Sequence, residues 1–163
     1  MAQQYSFDIV SQFDRQELKN AVDQALREIH TRYDLKDTGT TITLEPDKLI
    51  INTASEFTLS AVRDVLETKL VRRQLSLKIL DYGKPEPASG GRVRQVITLK
   101  QGINEELARE IVRKLKRDHQ KVQAQVQGDA VRVSAKVKDD LQAVIKDLRA
   151  QDYPVPLQFI NYR

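Results

Sequence analysis

Gly83-Lys-Pro-Glu-Pro-Ala-Ser-Gly-Gly91 is the only stretch of this 163-residue chain dense in glycine and proline, and it separates two halves of matching pattern. Proline removes a ladder donor and glycine frees the backbone, so the stretch cannot continue a helix or an interior strand. Working outward, Leu77-Lys-Ile-Leu-Asp-Tyr82 on its left matches Leu157-Gln-Phe-Ile-Asn-Tyr162 at the far end of the chain. Leu59, Val62 and Leu66 likewise match Leu141, Val144 and Leu148 at one constant offset. A tandem duplication is the economical reading.

In the first half, Tyr5, Phe7 and Ile9 alternate with Ser6, Asp8 and Val10, the period of a half-buried strand. Asp14 can cap a helix whose apolar stripe is Leu18, Val22, Ala25 and Ile29. Thr40–Leu44 and Leu49–Thr53 flank Glu45-Pro-Asp-Lys48 as a hairpin; a second helix starts near Ser55, and Leu75–Leu80 is a closing strand. The second half repeats the order. Val93–Lys100 is a strand, Asn104 caps a helix with Leu107, Ile111 and Leu115 inward, and Lys121–Gln127 and Ala130–Ala135 form a hairpin around Gly128-Asp129. A helix through Leu141, Val144 and Leu148 and a strand at Leu157–Tyr162 complete it. Each half is βαββαβ, which predicts an α+β protein of two tandem ferredoxin-like sandwiches. Each has a four-stranded antiparallel sheet with two helices on one face. The expected domains are residues 1–83 and 92–163, joined by a linker at 84–91. One apolar stripe per helix covers only one sheet face, so the other is solvated, paired or used for binding.

Composition narrows the function classes. Hydrophobic residues make up 40% of the chain and charged residues 31%, and no apolar run approaches the roughly 20 residues of a membrane helix. The N-terminal residues lack the basic-then-apolar order of a secretion signal. Cysteine is absent, which removes disulfides, thiolate metal sites and a thiol nucleophile. A cytoplasmic protein without membrane contact is expected. Residues 1–82 hold 11 Lys/Arg against 13 Asp/Glu, and residues 83–163 hold 16 against 10, so the second half is the more cationic. That imbalance suggests an anionic partner.

Catalytic chemistry finds little support. His30 and His119 have no second histidine at metal-ligand spacing. Asp139-Asp140 sits where carboxylates favour a helix N-terminus. No glycine loop of the phosphate-cradling kinds occurs. No enzyme, metal or cofactor is expected.

Ser6-Phe-Asp-Ile-Val-Ser11, the run Gly83–Arg94, Thr98-Leu-Lys-Gln-Gly102, Lys121–Gly128, Asp139-Asp-Leu-Gln-Ala-Val144 and Val155–Arg163 together resemble the YajQ family of small bacterial proteins. The resemblance spans essentially the whole chain. It implies tandem RNP-like domains in which the N-terminal strands, residues 5–11 and 93–100, are exchanged between the halves. The strand pattern itself fits exchanged and contiguous halves equally. The resemblance also implies nucleotide binding, with cyclic di-GMP a ligand of some members and RNA suggested by the fold. The chain departs from the family's usual Phe-Asp-Phe-Lys-Gly at Tyr33-Asp-Leu-Lys-Asp37.

Candidate contacts follow from charge and pattern. Arg92 and Arg94 share one face of a strand and, with Lys100 nearby, are expected to grip a nucleotide phosphate beside an interdomain crevice, the nucleotide being cyclic di-GMP, GTP or ATP. Arg109, Arg113, Lys116 and Arg117 follow helical spacing and could track an RNA backbone. RNP-like domains stack bases on aromatics of their central strands, yet Leu49-Ile-Ile-Asn-Thr53 and Ala130-Val-Arg-Val-Ser134 carry none. Tyr5, Phe7, Tyr82, Phe159 and Tyr162 are the stacking candidates, with core packing the competing use of the same residues. The expectation is a non-enzymatic nucleotide-binding protein responsive to cyclic di-GMP. RNA binding and a protein-interaction module are the alternatives.

Overall fold

The computed structural model describes residues 4–163. Among the described residues, nine strands and four α-helices follow in the order β1 (Tyr5–Val10), α1 (Arg15–Thr31), β2 (Thr41–Leu44), β3 (Lys48–Thr53), α2 (Glu56–Arg72), β4 (Leu80–Tyr82), β5 (Glu86–Ala88), β6 (Arg92–Leu99), α3 (Glu105–Asp118), β7 (Gln123–Gln127), β8 (Ala130–Ala135), α4 (Lys138–Arg149) and β9 (Gln158–Ile160). They form two antiparallel α+β sandwiches, as the duplicated pattern predicts. The starts of α1, α2 and α3 are marked by capping residues, whereas α4 follows Val137 with no side-chain cap. Asp14 accepts from the N–H groups of Gln16 and Glu17, and Asn104 accepts from Leu107. Ser55 and Thr58 form a reciprocal capping box on α2.

The strand pairing does not follow the two contiguous halves. One sheet has the order β7-β8-β1-β9, with Phe7 opposite Val133 and Ile9 opposite both Val131 and Phe159. The other has the order β2-β3-β6-β4, with β5 also on β6, and places Ile97 opposite Leu49 and Tyr82. The compact units are therefore Phe13–Lys100, here the central-segment unit, and the segment ending at Gln12 together with Gln101–Arg163, the terminal-segment unit. They differ from the expected domains of 1–83 and 92–163. The same alternation of apolar and polar residues in β1 and β6 permits this division, since either strand can complete either sheet with its apolar face toward the helices.

Each unit closes its own core. Leu18, Ala21, Val22, Ala25 and Ile29 of α1 and Leu59, Val62, Leu66 and Leu70 of α2 pack on Leu49, Ile51 and Ile97. Ile111 and Leu115 of α3 and Leu141, Val144 and Leu148 of α4 pack on Phe7, Ile9, Val131 and Val133. The helix stripes read from sequence are the buried ones. Three closing segments differ from expectation. Residues 77–79 form a 3-10 turn, because the Ser76 hydroxyl accepts from Lys78 N–H, and the strand comes later at Leu80. The Gly/Pro stretch contributes β5 to the edge of β6, with prolines at a sheet edge where a missing donor costs nothing. The last strand is only Gln158–Ile160, since Asn161 turns left-handed at φ 59°, after which Arg163 and Ser6 exchange backbone bonds of 3.0 and 3.1 Å.

The unit division also redistributes charge. Phe13–Lys100 carries 15 Lys/Arg against 13 Asp/Glu, and the terminal-segment unit carries 12 against 10. The imbalance between halves disappears, because Arg92, Arg94 and Lys100 of the second half belong to the unit built mainly from the first.

Candidate nucleotide site

Alternation along β6 buries Gln95, Ile97 and Leu99 toward the helices and sends Arg92, Arg94, Val96 and Thr98 to the open face of the sheet. Register places Asn52 of β3 opposite Arg94 on one side and Glu86 of β5 opposite it on the other. Arg94 Nη1 reaches Glu86 Oε2 at 3.4 Å, with side chains 39% and 62% exposed. A pair this open is held weakly, at about 0–1 kcal/mol, and can be displaced by a competing anion.

Arg92 is engaged differently. Its Nε donates to Asn52 Oδ1 at 2.7 Å, Nη1 to the Thr38 carbonyl at 2.9 Å and Nη2 to the Gly39 carbonyl at 2.9 Å. Gly39 sits at φ 60°, where a Cβ would stand 3.5 Å from Arg92 Nη1, so the loop after α1 lies close around Arg92. A hydroxyl chain continues inward from this loop: Thr38 to Thr40 at 2.5 Å, Thr40 to Thr53 at 2.8 Å and Thr53 to Thr58 at 3.1 Å. Three of the five guanidinium N–H groups of Arg92 are thus committed to its own chain, leaving two toward solvent or ligand.

Lys100 is not brought to this pair. β6 runs extended from Arg92 to Leu99, which puts Lys100 about 20 Å beyond Arg94 at a strand rise of roughly 3.3 Å per residue. The expectation that these three cations grip one phosphate is therefore corrected: Arg92 and Arg94, roughly 7 Å apart, are adjacent and Lys100 lies at the opposite end of the strand.

The α3 cations are largely neutralised in place. Arg109 pairs with Glu105 at 2.8 Å and Arg117 with Asp118 at 2.9 Å. Lys114 bridges Asp118 and Asp147, and His119 Nε2 lies 2.8 Å from Asp147 Oδ2. The bonds from Arg117 and Lys114 hold the Asp118 carboxyl well below the usual carboxylate range, and the bond to His119 is the main cause lowering Asp147. Arg113 and Lys116 are exposed and make no ion pair among the described residues.

The aromatics serve mostly as packing. Phe7 is fully buried, with Phe159 edge-on at 5.8 Å and Tyr162 at 6.0 Å. Tyr82 packs on the α2 side and donates to Glu67 Oε2 at 3.0 Å; burial, with the Glu67 charge, pushes its phenol well above its ordinary value. Tyr5 lies under the Lys138 ammonium at 5.0 Å. On the open faces the central strands show Lys48, Ile50 and Asn52 beside Arg92, Arg94, Val96 and Thr98 in one unit. In the other they show Ala130, Arg132 and Ser134 beside Ser6, Asp8 and Val10. Neither offers a ring for base stacking. Arg132 Nε donates to Asp8 Oδ1 at 3.0 Å and Asn161 Nδ2 to Asp8 Oδ2 at 2.8 Å, and the Arg132 bond keeps this buried carboxyl below its ordinary value against the opposing effect of burial.

Asn52, Glu86 and the Thr38–Gly39 carbonyls were not legible as site groups, because they meet Arg92 and Arg94 only through the β3–β6–β5 register. No group of three or more His, Asp or Glu suited to a metal occurs among the described residues. No helix among the described residues is long and apolar enough to cross a membrane.

Comparison with known proteins places the chain. Residues 5–163 match the family described as nucleotide-binding protein YajQ-like. A nucleotide-binding protein of a Picosynechococcus species is 61% identical over 163 residues, 100% of both chains. Proteins of the same description from Trichormus variabilis and a Synechococcus species are 60% and 62% identical over the same full length. The chain belongs to the YajQ-like family.

Proposed function

We propose that the chain is a non-enzymatic nucleotide-binding protein, responsive to cyclic di-GMP, whose ligand phosphate sits on the open sheet face of the central-segment unit. Arg94 supplies the principal charge-assisted bonds, and Arg92 adds its two uncommitted N–H groups while holding the Thr38–Gly39 loop. The observation that carries the siting is the exposed Arg94–Glu86 pair at 3.4 Å, a cation on a sheet face whose one ionic partner among the described residues is displaceable. Nucleotide as the ligand class rests on the family and on what its relatives are called. Occupancy would draw Arg94 away from Glu86 and change the β5–β6 edge offered to a protein partner. Calorimetry with cyclic di-GMP, GTP, ATP and a short RNA tests this. Saturable binding of cyclic di-GMP that weakens at least tenfold in Arg94→Ala is the expected result. Equal affinity in wild type and variant removes the siting, and no binding of any nucleotide removes the function.

RNA binding is the second reading, favoured by one feature: exposed Arg113 and Lys116 on α3 that make no ion pair among the described residues. Arg109 and Arg117 would extend that track to about 12 Å along the helix. It requires steep salt dependence and loss of RNA affinity in Arg113→Ala/Lys116→Ala.

A further inference from the structure

Away from the sheet faces, the central-segment unit carries a groove of about 830 Å³ between α1 and α2, with Gln24, Arg27, Thr31, Arg72 and Gln74 among its lining residues. Volumes of about 300–1,000 Å³ are those of ligand sites. Two further cations in the wall are already satisfied. Lys69, its side chain only 12% exposed, lies 3.1 Å from Glu28, and Arg73 donates through Nη1 to both Glu17 oxygens at 3.2 and 3.0 Å. Arg27 and Arg72 are exposed and make no ion pair among the described residues, so the groove holds four cations against two carboxylates. From Glu17 to Thr31 it follows α1 for about 20 Å at a helical rise of roughly 1.5 Å per residue.

A second observation points the same way. Gln74 stands just past the C-terminal end of α2 at φ 62°, the left-handed conformation that glycine adopts without steric cost. A chain shaped for stability alone would place glycine there; this one keeps a carboxamide at the wall of the groove. No aromatic ring lines it, so nothing is positioned to read a base. We infer that this groove is a second anion site, taking a linear oligophosphate such as the triphosphate tail of a nucleotide. In this site Arg27 and Arg72 neutralise successive phosphates, with the side-chain N–H groups of Gln24 and Gln74 as hydrogen-bond donors, the Thr31 hydroxyl being committed to the Arg27 and Glu28 carbonyls.

The site is independent of Arg94, and its test is built to keep the two apart. Calorimetry of the full chain with sodium tripolyphosphate, in low salt, should give saturable binding that falls at least tenfold in Arg27→Gln/Arg72→Gln and is unchanged in Arg94→Ala. Both replaced arginines are exposed and unpaired, so the variant folds, which circular dichroism checks. Gln74→Gly should weaken tripolyphosphate binding while raising the Tm. Guanosine, lacking phosphate, should not compete. Wild-type indifference to tripolyphosphate, competition by guanosine, or full affinity in the double variant would each overturn the assignment.

Discussion

On the open face of the terminal-segment unit, Arg132 is answered by Asp8, a residue 8% exposed and held also by Asn161. On the corresponding face of the central-segment unit, Arg94 is answered by Glu86, whose side chain is 62% exposed. The two units share one four-strand order, to which the central-segment unit adds β5, and the same excess of two cations, yet one sheet cation is locked into its own fold and the other is held loosely at an edge. Duplication supplied two equal scaffolds. Differences in local neutralisation, and not in net charge, separate a face whose cation is locked from one whose cation is loosely held, the face on which the proposed ligand site rests.

The largest expected effects test whether the units are divided as described. Phe7→Ala should cost about 3–5 kcal/mol in denaturant unfolding and raise hydrogen exchange in β8 and β9 while leaving β2 and β3 protected. Ile97→Ala should cost about 2–5 kcal/mol and do the reverse. Exposure of α1 and β3 by Phe7→Ala would break the comparison at its root. Next, Asp8→Ala should destabilise by about 1–3 kcal/mol, since it strands a half-buried guanidinium, whereas Glu86→Ala should cost less than about 1 kcal/mol. Equal losses would mean that the two faces are not differently held. Gly83→Ala should also cost about 1–3 kcal/mol, because an added Cβ would stand 2.8 Å from the Val96 carbonyl oxygen at the crossing from β4 to β5.

A smaller effect is set by pH. The Asp8 and Asp147 carboxyls lie below their ordinary value of 3.8 in the folded chain, so the unfolded chain takes up protons first on acidification. Their contribution is complete above that value and is lost as pH falls through the lower folded values. Thermal melts from pH 6 down to pH 2 should show the terminal-segment unit losing stability below about pH 4, and Asp8→Asn should flatten that loss. An unchanged acid profile in Asp8→Asn would remove the locked pair from the account.

The helices, their caps and both hairpins were legible because they depend on local spacing: Leu18 to Ile29, Asn104 to Leu115 and the Glu45–Lys48 turn read the same in either strand arrangement. The partner of each central strand was not legible. Tyr5–Ile9 and Val93–Leu99 carry interchangeable alternations, so which sheet receives them is a tertiary choice that period alone cannot express. The site inherits that limit. Arg92 and Arg94 could be placed on one face, but the Asn52 and Glu86 beside them come from register, and the distance to Lys100 follows from β6 being one unbroken strand. The charge contrast between halves misled for the same reason, since it counted β6 with the wrong sheet.

The most direct test is a nuclear magnetic resonance titration of the isotope-labelled full chain with cyclic di-GMP. The largest shifts are expected at the backbone amides of Asn52, Glu86, Arg92 and Arg94, with β1 and β8 unmoved. Shifts centred on Asp8 and Arg132, or none anywhere at saturating ligand, would contradict it.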